Sequence, residues 1–508
     1  MVGHVHPRHL RKALDLVEAD MARAWTVGEI AAACGVARRT LQKHFRRFVG
    51  KTPLEYLRDL RFDKARQTLL EAPRGVLVTE VATRCGFSHL GRFAIGYRER
   101  FNETPSQTVR RSQLRRPDDV RFLPALPISL ERPSVAVLPF ELVGEETRRV
   151  AAMAEEIAAA LMRLHWIGVA TPERSRYRLR GKVRGDGRGR LRITVILTDA
   201  STGRHLWADH WDGTSDDAFQ FEQRVAGRVA RAIELVLRDA EIDGVSGKDA
   251  AELNAWELVM RALPGVLSYK APAEARALEL LERAMEMAPH DPLPVSLAAW
   301  CHGVRGCLHF TAQSREEQET ARRLADRAAI LNKADALTET VLAAGYTLGR
   351  NLEMAAVHAD RALVLNGGSA WAWARSGWIS AYNGEEDKAI ERLQLARTLG
   401  PADPVSSATS CFGIGSAHFR AGRYGDAIRW IKRGIAERPD AVGMSPFFLA
   451  SAQALANRKD EAKRTVSEWT RVHRDMTITQ VNSGWPFEAR FLDRVAEGLE
   501  SAGMRNAA

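Results

Sequence analysis

The chain has 508 residues, more than one domain accommodates, and its length points to roughly three domains. Its 45% apolar content is that of ordinary globular protein, and no run of about 18 apolar residues exists, which excludes a predicted transmembrane helix. The formal net charge of +11 is confined to one end: residues 1–116 carry 23 Lys+Arg against 11 Asp+Glu, and the remainder is nearly balanced at 51 against 52.

The opening residues lack the apolar stretch of a signal peptide, so a cytoplasmic location and reduced thiols at the five scattered cysteines are expected. Two segments then repeat at an offset of 51 residues. Ile30-Ala31 and Cys34-Gly35-Val36 line up with Val81-Ala82 and Cys85-Gly86-Phe87. Each reads as a short apolar helix, a glycine turn and a second helix, the helix-turn-helix unit whose second helix enters the DNA major groove. Leu41 and Phe45 give the first of these second helices its buried face; Leu90, Phe93, Tyr97 and Phe101 do so for the other. A basic domain carrying a duplicated motif of this kind is the footprint expected for phosphate-backbone binding.

Four prolines between Pro117 and Pro133 mark an extended linker, residues 117–133. Residues 134–240 change character. "SVAVLPF" is a short buried-strand pattern, residues 147–165 an amphipathic helix, and 176–211 alternate apolar and polar through turns at Asp186-Gly187 and Thr202-Gly203. A last helix, 216–238, places Val225, Val229, Ile233 and Val236 on one face, giving a small α/β sandwich of a sheet and two helices. From about Asn254 the chain is helical and repetitive. Small residues recur at Ala277, Ala321, Ala355, Ala389, Ala427 and Ala462, in steps of 44, 34, 34, 38 and 35. A period near 34 with paired helices predicts a tetratricopeptide solenoid over 250–480, with about ten residues inserted near "GCLHFTAQSREEQ" and a C-terminal tail at 481–508. The expected fold class is therefore multidomain and mainly α: a dual helix-turn-helix domain, a small α/β sandwich and an α-helical tetratricopeptide solenoid.

Residues 1–116 resemble the DNA-binding domain of the AraC/XylS family of bacterial transcription regulators. The resemblance is carried by "VATRCGF", "GYRERFNETPSQTVR" with its Phe101-to-Ser106 close, and "LRFDKARQTLL" between the two motifs. In that family the sensor usually precedes the DNA-binding domain; here the DNA-binding domain comes first, so the usual sugar-binding barrel is not implied. Residues 134–238 resemble an α/β module found beside cyclase or DNA-binding domains and tetratricopeptide repeats in bacterial proteins, which implies architecture and little chemistry. Trp373, Gly377, Ala389, Leu393, Ala396 and Pro401 occupy the packing positions of the tetratricopeptide family.

Arg39, Gln42 and Lys43 match base-reading positions of the AraC/XylS family; arginine and lysine suit guanine O6/N7 and glutamine suits adenine N6/N7. Arg38, Arg46 and Arg47 are better placed for phosphates. On the second helix Gly91 and Ile95 stand where the family commonly has longer polar residues. That leaves Arg92 for a guanine and Ile95 for a thymine methyl, with Arg98 and Arg100 on phosphate. A solvated basic face is the alternative reading of the first helix, and for the second it is docking on phosphate through Arg92, Arg98 and Arg100 with little base reading. "LEYLRDLRFDKARQTLL" is expected to fix the two modules at a set separation, about 34 Å, so that both meet one DNA face.

In the solenoid Trp371, Trp378 and Tyr382 form a stripe, and the family's inner-groove positions add Phe412 and Phe419. The stripe is either a groove for a partner or for this same chain, or it is core. Cys301, His302, Cys307 and His309 match no common zinc spacing, and no metal or other cofactor is expected. No nucleophile–base or paired-carboxylate arrangement stands out, so no enzyme is expected; a cyclase-like signalling enzyme lacks a domain to host its chemistry. The reading is a sequence-specific DNA-binding transcription regulator whose α/β and solenoid regions bind a signal or partner. Its expected partners are double-stranded promoter DNA, a protein or second copy at the solenoid, and RNA polymerase, with no membrane. The alternative is a protein-interaction scaffold with secondary DNA binding.

Overall fold

The computed structural model describes residues 7–21, 23, 25–71, 81–82, 84–87, 93, 96–97, 100–101, 105, 108, 132–144, 152–164, 166–214, 218–332, 335–441, 443–472 and 476–506. The chain divides into two units, Met1–Pro124 and Ala125–Ala508, each with cores of its own.

The first unit opens with α1 (Arg8–Ala19), α2 (Val27–Ala33), α3 (Arg38–Phe48) and α4 (Pro53–Glu71). Helix α2 starts at a capping box: Thr26 Oγ1 accepts from the Glu29 N–H, and the Glu29 carboxylate accepts from the Thr26 N–H. Gly35 ends the following turn at φ 68°, and its equivalent Gly86 stands at φ 84°, a left-handed backbone that glycine adopts without a Cβ clash. Leu10, Val17, Ile30, Leu41, Phe45 and Leu57 close the first core. Phe62, Ala65, Leu69, Val81, Phe93 and Tyr97 close the second. Helix α4 serves both. At about 100° per residue, Tyr56, Leu57 and Leu60 lie on the side opposite Phe62, Ala65 and Leu69, so α4 shows no single apolar stripe.

The second unit begins with a six-stranded sheet: β1 (Ser134–Val137), β2 (Glu141–Val143), β3 (Gly168–Val169), β4 (Tyr177–Gly185), β5 (Arg190–Asp199) and β6 (His205–Thr214). The order is β3-β1-β4-β5-β6, and β2 pairs with β4 in parallel beyond β1. The two hairpin turns fall at the anticipated glycines, Gly187 at φ 75° and Gly203 at φ 72°. Leu191, Ile193, Val195 and Leu197 alternate into a core shared with α5 (Met153–Met162) and α6 (Ala218–Ser246).

Val225, Val229 and Ile233 of α6 are buried and Val236 is half-buried. Helix α6 extends well past the anticipated end near 238, because its C-terminal turns pack onto the solenoid. Glu241, 1% exposed, accepts from the Tyr177 hydroxyl at 2.5 Å and from the Trp256 indole at 2.9 Å, and pairs with Arg176 at 2.9 Å. A buried carboxylate so fully partnered locks α6 to β4 and to the first solenoid helix.

Six helix pairs follow: α7 (Ala255–Val266) with α8 (Ala271–Met287), α9 (Pro292–Cys307) with α10 (Ser314–Leu331), α11 (Ala336–Leu348) with α12 (Leu352–Leu365), α13 (Ala370–Tyr382) with α14 (Glu386–Leu399), α15 (Pro404–Arg420) with α16 (Tyr424–Glu437), and α17 (Ser445–Leu455) with α18 (Lys459–Val472). The six recurrent alanines all sit on the second helix of a pair and are at most 1% exposed. They mark where paired helices touch: a Cβ on Gly265 would stand 3.0 Å from that of Ala277, and one on Gly377 would stand 2.5 Å from Leu393 Cγ. The long first step is taken up by three extra residues in α9, three in the α9–α10 connection and four before Ala321 in α10. Much of the expected loop insertion is thus helix.

The expected tail at 481–508 is also structured. It holds the end of α19 (Ile478–Gly484) and α20 (Ala489–Ser501), whose Phe491, Val495 and Leu499 are buried at helical spacing. Gly498 lets α20 lie directly on Ser451 of α17; a Cβ there would stand 2.7 Å from the serine backbone.

Candidate nucleic-acid interface

Helix α3 carries five cations and no acid in eleven residues. Leu41 and Phe45 are fully buried, which turns Arg39, Gln42, Lys43 and Arg46 outward. Arg38 and Arg47 are exposed as well. Arg38 lies against α2: a Cβ on Gly28 would stand 2.5 Å from its Nη2, so glycine there makes room for the guanidinium. Arg47 packs over the Phe48 ring, 5.4 Å from its centroid. His44 and His9 share a 2.6 Å hydrogen bond that ties α3 to α1. The basic face is therefore held on three sides. Arg61 of α4 donates to the Met21 and Arg23 carbonyls, both at 2.7 Å, and so closes the module from below.

The second module is built around rings. Phe62 stacks on Phe93 at 5.9 Å and meets Phe87 at 4.7 Å and Tyr97 at 6.4 Å. Gly96 lets Phe62 in: a Cβ there would stand 2.8 Å from Phe62 Cζ. The Tyr97 hydroxyl donates to Thr108 Oγ1 at 2.8 Å, buried.

Arg92, Ile95 and Arg98, expected at DNA, lie outside the described residues. Arg100, expected on phosphate, is engaged by α4 in the structure. Its guanidinium pairs with Asp59 at 2.7 Å and Asp63 at 2.8 Å, both on α4, and packs over Phe101. Two carboxylates already neutralise it, so it clamps the second module to α4. Burial raises the thiol pKa of Cys34 and of Cys85, which behave as packing groups at the two turns.

The aromatic stripe of the solenoid divides. Tyr382, Phe412 and Phe419 are 5%, 8% and 1% exposed, so the open partner groove expected at these three does not exist. The chain covers them itself: Phe487 lies 4.6 Å from Tyr382, and Phe491 lies 5.2 Å from Phe419. Trp378 is half-buried, and its indole donates to the Thr409 carbonyl at 3.0 Å. Trp371 is half-buried too and faces a cavity that sequence reasoning missed. Its signal was the tryptophan content of strand β6, Trp207 and Trp211 on one face. Burial raises the thiol pKa of Cys301 and Cys307, the latter to about 12. His302 bonds to Glu317 at 2.6 Å, and His309 to the Gln480 carbonyl at 2.9 Å.

The family model of a helix-turn-helix domain matches residues 30–111. A probable thc operon regulatory protein of Rhodococcus erythropolis is 42% identical over 105 residues, covering 20% of this chain and 32% of that protein. A putative adenylate cyclase 3 of Rhizobium meliloti is 25% identical over 180 residues, 31% of this chain and 30% of that one. The chain thus spans about a third of the length of these curated relatives. The crystal structure of a transcriptional regulator from Chromobacterium violaceum, with an AraC-type DNA-binding domain, is 32% identical. It covers 20% of this chain and 91% of that one, with a TM-score of 0.20. The duplicated glycine turns, the linking helix α4, the family model and the curated regulator relatives converge: residues 30–111 form an AraC-type helix-turn-helix domain.

Proposed function

We propose that this protein is a sequence-specific transcription regulator that reads promoter DNA with α3 and receives a signal or partner through its second unit. One observation carries the reading: α3 presents Arg39, Gln42 and Lys43 outward on a helix free of acids, flanked by Arg38, Arg46 and Arg47. Side chains that can bond base edges stand at the centre, and cations that suit phosphate stand around them. Regulation without an enzymatic step fits the regulator relatives; the cyclase likeness is weaker. Selection of bound sequences from a random duplex library by the full chain, followed by anisotropy titration at several salt concentrations, tests it. A defined motif and affinity that falls steeply with salt are expected. Recovery of no motif would leave a scaffold with secondary, unspecific DNA binding as the better reading.

A further inference from the structure

The second unit holds a half-open cavity of about 520 Å³ between β6 and α6 on one side and α7, α11 and α13 on the other. That volume lies in the range of small-molecule sites. Five of the chain's twelve tryptophans line it: Trp166, Trp207, Trp211, Trp256 and Trp371. Trp166 and Trp256 are stacked at 5.7 Å, and Trp207 and Trp211 are neighbours at 5.9 Å. Leucine, valine and methionine side chains of the solenoid complete an apolar floor. Such walls favour flat rings over a flexible chain.

The charges around this lining do not cancel. Arg238 is engaged by Asp239 at 3.2 Å and Asp403 at 3.5 Å, and Asp403 also accepts from the Trp371 indole at 2.6 Å. Asp209 is exposed at the rim, where its carboxylate accepts from the His210 N–H at 2.7 Å. Burial pushes Glu234 up to about 7, so near neutral pH it carries only part of a negative charge. Arg231 is half-buried, and among the described residues neither it nor the exposed Arg228 forms an ion pair; Glu234, three residues on, is the carboxylate whose charge acts on Arg231. Burial first, then Arg228, hold the Arg231 pKa below its ordinary value. The guanidinium lies against Gly368: a Cβ there would stand in ordinary contact, 3.6 Å from Arg231 Nη1.

We propose that this cavity is a small-molecule site for a planar aromatic anion, with its rings among the tryptophans and its acid group on Arg231. An anion there would offset both the burial of Arg231 and the repulsion from Arg228. The proposal deepens the signal-receiving part of the proposed function. Its test reads the cavity without DNA, so it stands or falls apart from the DNA-binding reading.

The test uses two fluorescent probes on the full chain: anilinonaphthalene sulfonate, and phenylnaphthylamine, which has the same rings without the acid. One saturable equivalent of the sulfonate should quench tryptophan emission, and it should bind more tightly than the neutral probe. Arg231→Met should weaken the sulfonate by about tenfold, the factor of one charge-assisted hydrogen bond, and leave phenylnaphthylamine nearly unchanged. Arg231→Lys should recover much of the loss. Equal affinity of the wild type for both probes, no saturable quenching, or unchanged sulfonate binding in Arg231→Met would each overturn the proposal. The wild-type comparison decides by itself if the methionine variant folds poorly.

Discussion

The two helix-turn-helix modules share a sequence pattern and differ in how they are built. The first buries mostly aliphatic side chains with Phe45 and Trp25, and the cations of α3 stay exposed. The second buries a cluster of rings about Phe62, and its Arg100 is neutralised by Asp59 and Asp63. A repeated motif is therefore built here on two different cores. What a cation can do depends on whether a carboxylate from another element reaches it first: Asp59 and Asp63 reach Arg100, and among the described residues none pairs with Arg39 or Lys43.

The largest expected effect concerns the aromatic core. Phe62→Ala should destabilise the second module by about 3–5 kcal/mol, as for other buried phenylalanines. Hydrogen exchange should show the loss at Val81 and Ala82 and spare Ile30 and Ala31; equal loss at both would mean that the two cores fold as one. Gly96→Ala should cost about 1–3 kcal/mol through collision with Phe62, and much less in a Phe62→Leu background. Unfolding curves of the single and double variants measure that coupling.

At the DNA, Arg39→Ala or Gln42→Ala should lose about 1–3 kcal/mol for the preferred site and relax its sequence, as read by anisotropy and by resequencing of selected sites. Equal information content in the two half-sites would erase the contrast between the modules. A smaller effect separates clamp from contact. Arg100→Gln should cost up to about 1 kcal/mol of stability and leave the salt dependence of DNA affinity unchanged. Arg46→Gln should instead reduce the log–log salt slope by about 1. A reduced slope in Arg100→Gln would return that residue to the phosphate.

The smallest effect is a pH dependence of the first module. The Thr26 hydroxyl, then the Thr26 N–H, hold the Glu29 carboxyl below its ordinary range. A pKa lowered on folding contributes stability above the unfolded value, and that contribution disappears as pH falls through the folded value. Thermal unfolding of Glu29→Gln should accordingly show a flatter acid limb than the wild type. An identical limb would show that the capping box carries no such linkage.

Much of the architecture was legible because its signals are local. Leu41 and Phe45 lie four residues apart, Gly35 and Gly86 stand at turns that need positive φ, and a small residue recurs wherever two paired helices must touch. Helix periodicity and turn chemistry act over a few residues, so the sequence by itself determined the duplicated motif, the hairpins and the solenoid. Contacts across long separations were decided only by tertiary structure. Arg100 is engaged because Asp59 and Asp63 stand forty residues earlier on α4. Tyr382 and Phe419 are core because Phe487 and Phe491 fold back over them. The tryptophan cavity exists because Trp166 and Trp371, some two hundred residues apart, line the same space. No periodicity records such a meeting: burial and pairing depend on which distant side chain arrives, and packing of whole elements settles that.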